Sequence, residues 1–398
     1  MTQEAISARR RIRALGAQRA LREALLAFGL SRALVWAAAI AAVYVLPVQR
    51  SQEQTHDIPA LTGALGRALG ALARWDAVWY LTIAHSGYGG ESSLTAFFPL
   101  YPLSVRAAAG GGAAPGALVL LCAYAVSAVS FIVALVLLHK LVELELGERY
   151  ARPVLLLVAF WPASFFFSAP YSESLFLALS VGVFYAARTE RWALAALLCA
   201  AAGATRPTGL LLLLPLAWMA WRAGRLRWLV VAPLGALAFS AGLAGAGLRP
   251  LGWFGVERAW GHVFKGPSGG IWDAAVAGVS GAGRLVSSAP VDRVVAAENA
   301  LYFVLLVLAL VALVGMFRRL PPAYGIYTLG SLVAAVSAPV EWQPLMSFGR
   351  LLAVVFPIPM WVALELKDRR VAMGSVLAAS AALLVCGTGL FAAWQLVT

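Results

Sequence analysis

Long apolar runs divided by short basic links make up most of the chain. The first extends from about Leu25 to Pro47. Ten more follow near residues 117–138, 153–170, 174–187, 192–205, 209–221, 229–247, 299–317, 323–339, 350–364 and 371–396. Runs near the ~20 residues needed to cross a bilayer predict transmembrane helices. The alternating segments of about ten residues that mark a membrane β-barrel are lacking. The expected fold class is therefore all-α: a polytopic membrane helix bundle of about eleven transmembrane helices, forming one integral membrane domain over residues 1–398.

Two stretches break the apolar pattern, at 48–116 and 248–298. In the first, Leu61, Leu65, Leu69 and Leu72 recur at helical spacing and predict an amphipathic helix along the membrane surface. That helix is expected to run on into RWDAVWYLTIA, residues 74–84. The segment also holds Glu53, His56, Asp57, Asp76, His85 and Glu91. In the second stretch Trp253, Glu257, Trp260, His262, Lys265 and Asp273 bring further polar and aromatic groups.

Charge orients these runs. Arg9, Arg10, Arg11, Arg13, Arg19 and Arg22 precede the first, and Lys140, Arg149, Arg152, Arg188, Arg191, Arg222, Arg225, Arg227, Arg318, Arg319, Lys367, Arg369 and Arg370 fill later links. These are nineteen of the 31 basic residues, enough to place them inside by the positive-inside bias. Residues 1–24 are then a cytoplasmic basic N-terminus, and 48–116 and 248–298 are extracytoplasmic loops. The first run exceeds the ~7–15-residue core of a signal peptide and reads as an uncleaved span. Basic residues at both ends also make hairpins of Arg152 to Arg188, Arg191 to Arg222 and Arg319 to Lys367. Their polar tips carry Tyr171, Ser172 and Glu173; Arg206; and Glu341, Trp342, Gln343 and Arg350. Arms of about 14 residues rise only ~21 Å, so the Arg206 tip should dip below the outer surface and face a protein-lined or wet cavity.

Composition narrows the function. With 62% hydrophobic residues, 12% charged and a mean hydropathy of +0.82, the chain excludes a water-soluble globule. The net charge of +13 resides largely in short loops, so no nucleic-acid partner is expected. Cys122, Cys199 and Cys386 lie in apolar runs without paired spacing, so neither a disulfide nor a metal framework is expected. GxxxxGK[ST] and HExxH are absent, and no polar stretch is long enough for a nucleotide-binding unit. An activated donor should therefore be carried by lipid. High Arg and Ala content with short loops suggests a bacterial plasma-membrane protein.

The segments RWDAVWYLTIAHSGY, AFFPLYPL, FWPASFFFSAPYSESLF and ATRPTGL, in that order, resemble the PIG-V family of GPI mannosyltransferase II and its bacterial relatives. The resemblance implies a GT-C-like glycosyltransferase using a polyprenyl-phosphate sugar, dolichyl-phosphate mannose in eukaryotes. It matches the family's acidic position in the first outer loop to Asp76 and its Ser-Glu-Ser tip to Ser172, Glu173 and Ser174. Trp161 departs from the Asn common before Pro-Ala-Ser, and the Arg206-Pro207-Thr208-Gly209 tip departs from an Arg-Ser-Asn-Gly-like one.

The chemistry of glycosyl transfer fits these residue types. An attacking hydroxyl needs a carboxylate to take its proton, and Asp76 is the candidate. A departing lipid phosphate needs fixed cations, with Arg206 and Arg350 the candidates and Arg74 the third. Trp79 and Tyr80 lie at i+3 and i+4 from Asp76, where they stack on a sugar or belong to an interfacial aromatic belt. Glu173 binds a sugar hydroxyl or caps the helix after it; Tyr171 and His85 complete the substrate-binding candidates. Expected partners are a polyprenyl-phosphate sugar donor, a lipid or glycan acceptor and membrane lipids, with inversion at carbon and no nucleotide cofactor or metal. Discontinuous hairpins with buried charge also describe a lipid-linked glycan flippase, and a non-enzymatic membrane scaffold is the remaining alternative.

Overall fold

The structure is a computed structural model that describes residues 3–47, 63–287 and 292–395, with side chains from Leu15 onward. Leu61, Glu53, His56 and Asp57 lie outside the described residues. Sixteen α-helices and several 3₁₀ turns occur within them, and in place of strands there is one isolated bridge between His262 and Val340. The expected all-α class holds.

The chain opens with α1 (Gln3–Val45), followed by three short helices of the first polar stretch, α2 (Gly63–Gly70), α3 (Ala77–Ser86) and α4 (Leu100–Ala108). Next come α5 (Gly116–Glu145), α6 (Glu148–Ala159), α7 (Glu173–Arg188), α8 (Trp192–Gly203), α9 (Leu213–Arg222) and α10 (Leu234–Gly245). The second polar stretch holds α11 (Gly266–Leu285), and the chain closes with α12 (Arg293–Arg319), α13 (Pro322–Ser337), α14 (Phe348–Ala353), α15 (Pro357–Glu365) and α16 (Arg370–Ala392).

Among the described residues five helical segments are long and apolar enough to cross a membrane alone: Leu15–Val45, Gly116–Glu145, Leu226–Gly245, Arg293–Arg319 and Arg370–Ala392. Apolar side chains exposed at three- and four-residue intervals, Val129 and Val133 on α5 and Val304, Leu308 and Val311 on α12, form faces suited to lipid. The chain is an integral membrane protein. Between the long spans, α5 packs along α6 and α7, α7 along α8, α1 along α16 and α11 along α12.

The other apolar runs are broken, and proline accounts for most of the breaks. α6 ends at Ala159, before Pro162; α7 starts after Pro170; Pro207 opens a 3₁₀ turn ahead of α9; Pro357 is the first residue of α15. Proline lacks the backbone donor and disfavours helical geometry in the residue before it. Backbone freed in this way is tolerated at membrane depth only when buried in protein. The Ser164–Phe167 turn is accordingly buried throughout.

One expectation is corrected. The amphipathic helix does not run on into residues 74–84: α2 ends at Gly70, the chain turns, and α3 begins anew at Ala77. The interruption is set by Trp75, whose φ of 53° no α-helix accommodates. The second polar stretch contains the 20-residue α11, which packs along α12. Gly278 and Gly281 permit that approach, because a Cβ on either would collide with Phe303 or the Ala296 carbonyl.

Candidate active site

The breaks meet at one place. The Ala71–Asp76 turn, the tip before α7, the extended residue Arg206 and the start of α14 together assemble a chain of four charged side chains. Asp76 accepts from Arg350 Nη1 at 2.5 Å. Arg350 Nε donates to Glu173 Oε1, and the same oxygen accepts from Arg206 Nη1 at 2.5 Å. The order is Asp76, Arg350, Glu173, Arg206, with alternating sign.

Local structure explains each position. Asp76 is the residue before α3, delivered by the left-handed turn at Trp75. Tyr171 clamps that turn from both sides: its hydroxyl accepts from Asp76 N at 3.0 Å and donates to the Arg74 carbonyl at 2.9 Å. Ser172, beside it, shares a 2.9 Å hydrogen bond with the Tyr80 hydroxyl. Glu173 is the first residue of α7, where the helix dipole favours an anion. Arg206 extends from the end of α8, anchored by the Leu100 N to Ala204 O bond at 3.0 Å. Arg350 follows the left-handed Ser347, and its guanidinium lies 4.7 Å from the Tyr171 ring centre and 5.3 Å from that of Phe166.

Exposure grades along this chain. Glu173 is wholly buried, Arg350 and Arg206 are about 8% and 11% exposed at the side chain, and Asp76 is 27% exposed. Burial pushes the Glu173 carboxyl up, yet Arg206 and Arg350 more than offset this and hold it below the usual carboxylate range. Among the described residues Glu173 Oε2 has no hydrogen-bond partner, so the buried anion keeps an unmatched acceptor.

Of the sequence candidates, Asp76, Tyr171, Glu173, Arg206 and Arg350 converge here, and Tyr80 joins through Ser172. Trp79 turns toward an aromatic shelf, stacking on Phe97 at 6.1 Å, with Trp260 edge-on to Phe97 at 6.2 Å. Arg74 donates from Nε to the Ala392 carbonyl at 3.2 Å and lies over Trp394, which ties it to the end of α16. His85 is exposed on the last turn of α3, nine residues and so roughly 13 Å along the helix from Asp76. Among the described residues no group of His, Cys, Asp and Glu is arranged to hold a metal.

Arg32 was not among the candidates, yet it holds the site's main tip in place. From the middle of α1 it donates to Ser164 O at 2.6 Å, Ser168 Oγ at 2.9 Å, Ala159 O at 3.0 Å and Ser164 Oγ at 2.9 Å. It thus satisfies carbonyls that the Pro162 break releases. The signal was available: Arg32 is the one charged residue in the 25–47 run, and an intramembrane charge implies a partner.

Asp76, Glu173 and Arg206 fall in a segment that is recognisable by comparison with known proteins. Residues 37–219 match the Mannosyltransferase (PIG-V) family. Arg350 lies beyond the PIG-V match and is brought to it by the fold. Two curated relatives align over 141 residues: GPI mannosyltransferase 2 of Drosophila pseudoobscura pseudoobscura, 33% identical, and that of Drosophila melanogaster, 31% identical. Each alignment covers 34% of this chain, and the chain spans only 31% and 30% of the length of those two proteins. No solved structure matches the chain significantly.

Proposed function

We propose that this protein is an inverting mannosyltransferase that moves mannose from a polyprenyl-phosphate donor to a hydroxyl of an extracytoplasmic lipid or glycan acceptor. The observation that carries this reading is the alternating chain Asp76, Arg350, Glu173, Arg206, whose acidic members and Arg206 lie in the PIG-V-matched segment.

The donor phosphate would sit against Arg206 and Arg350, with Glu173 Oε2 accepting from a sugar hydroxyl. As the phosphate draws on Arg350, Asp76 is released to receive the acceptor. The acceptor oxygen forms its bond to the anomeric carbon on the face opposite the phosphate, giving inversion. The carbon–oxygen bond to phosphate breaks with its electron pair on phosphate, and the acceptor proton passes to Asp76. The phosphate gains one negative charge as Asp76 loses one, so the net charge of the site is unchanged. Fixed donors in a water-poor site stabilise such charge relocation with little reorganisation. The Trp79–Phe97–Trp260 shelf offers apolar faces for the acceptor.

Donor class is the first test. Purified protein should transfer label from polyprenyl-phosphate mannose to a membrane lipid extract and leave a nucleotide-linked mannose untouched. Transfer from the nucleotide donor alone would refute the lipid-donor reading.

A further inference from the structure

The outer end of α12 grips the loop that delivers Arg350, and one grip is a carboxyl–carboxamide pair. Gln343 donates through Nε2 to Glu298 Oε2 at 2.7 Å, and both side chains are buried. Their other oxygens, Glu298 Oε1 and Gln343 Oε1, have no hydrogen-bond partner among the described residues. Among the described residues no Lys, Arg or His forms an ion pair with Glu298. The formal charges nearest in sequence on α12 are Asp292, whose carboxylate caps the helix, and Arg293; Glu341 lies in the gripped loop.

An ionised Glu298 would leave two acceptor oxygens unmatched beside a buried, unpaired negative charge. A single proton corrects both faults: Oε1–H of Glu298 donates to Oε1 of Gln343, and the pair closes through two hydrogen bonds. We propose that Glu298 is a protonated positioning residue, held in a cyclic pair with Gln343, that fixes the Trp342–Arg350 loop and with it the placement of Arg350.

The rest of that loop is fastened to the same neighbourhood. Asn299 Nδ2 donates to the Trp342 carbonyl at 3.2 Å, and Trp161 Nε1 donates to the Gly349 carbonyl at 3.1 Å. A Cβ on Gly349 would stand 3.2 Å from Tyr302 Cε1, so the Tyr302 ring, one turn along from Glu298, sets how close the loop lies. Glu298, Asn299 and Tyr302 occupy one end of α12, and all three act on the eight residues before Arg350.

The protonation can be tested without any assay of sugar transfer; the consequence for Arg350 rests on its assigned role in donor binding. Infrared spectra of the wild type and Glu298→Gln in membranes should differ by the carbonyl band of a protonated carboxylic acid, shifted in D₂O. Carboxylate bands in that difference, with no acid carbonyl, would overturn the proposal. Glu298→Gln can form the same two hydrogen bonds and should keep the donor KM within about twofold, whereas Gln343→Leu should raise it about tenfold. An equal rise in both variants would show that the charge of Glu298 is required, against the proposal. If no form of the protein transfers sugar, the infrared difference still decides the protonation, and the fault lies with the assigned reaction.

Discussion

Asp76 owes its place to its neighbours. The left-handed Trp75 turns the chain, and the Tyr171 hydroxyl holds both sides of that turn. Tyr171→Phe removes both bonds while keeping the ring under Arg350. It should lower transfer through kcat more than through KM and cost about 1–3 kcal/mol of stability, read by steady-state kinetics and thermal denaturation. Glu173→Ala should be far more damaging, because it leaves Arg206 and Arg350 without their shared buried anion; a loss of about 3–5 kcal/mol is expected, visible as a collapse of folded yield in detergent. Glu173, Arg206 and Arg350 were legible in the sequence because charges bordering apolar runs must find partners. Arg74 and His85 were less so, since residue type alone does not show where a backbone turns.

At the scale of elements, the site is assembled from interruptions. Pro162, Pro170, Pro207 and Pro357 mark most of them, and basic residues at both ends of three apolar stretches are what lets the sequence place polar tips there. The break between α2 and α3 carried no proline and was read as continuous helix; only the left-handed Trp75 shows it. Likewise α11, rich in glycine, looked like loop because its helicity depends on packing against α12 rather than on propensity. Arg32 joins α1 to the Ser164 turn and is the element-level test. Arg32→Met should strip the guanidinium donors from the Ser164 carbonyl and leave the Ala159 carbonyl only its bond from Ser164 Oγ, lower stability by about 2–5 kcal/mol and reduce the melting temperature in detergent. Arg32→Lys should recover only part of this, because one ammonium lacks the guanidinium's planar fork.

For the whole molecule, the described residues hold five long spans beside short broken helices, and the count of about eleven crossings is an inference from the apolar runs. Single cysteines introduced into a variant lacking the native three make it measurable: at Ser92 a membrane-impermeant thiol reagent should label intact cells, and at Gly224 only permeabilised ones. The reverse pattern would invert the topology and place the site on the cytoplasmic side. Whether Asp76 is the base of a lipid-donor transfer is read from transfer of radiolabelled mannose from polyprenyl-phosphate mannose by purified wild type and Asp76→Asn, with donor binding measured in parallel. Transfer should fall about 10²-fold or more in the variant with donor binding retained; equal transfer by both proteins would remove Asp76 from the reaction.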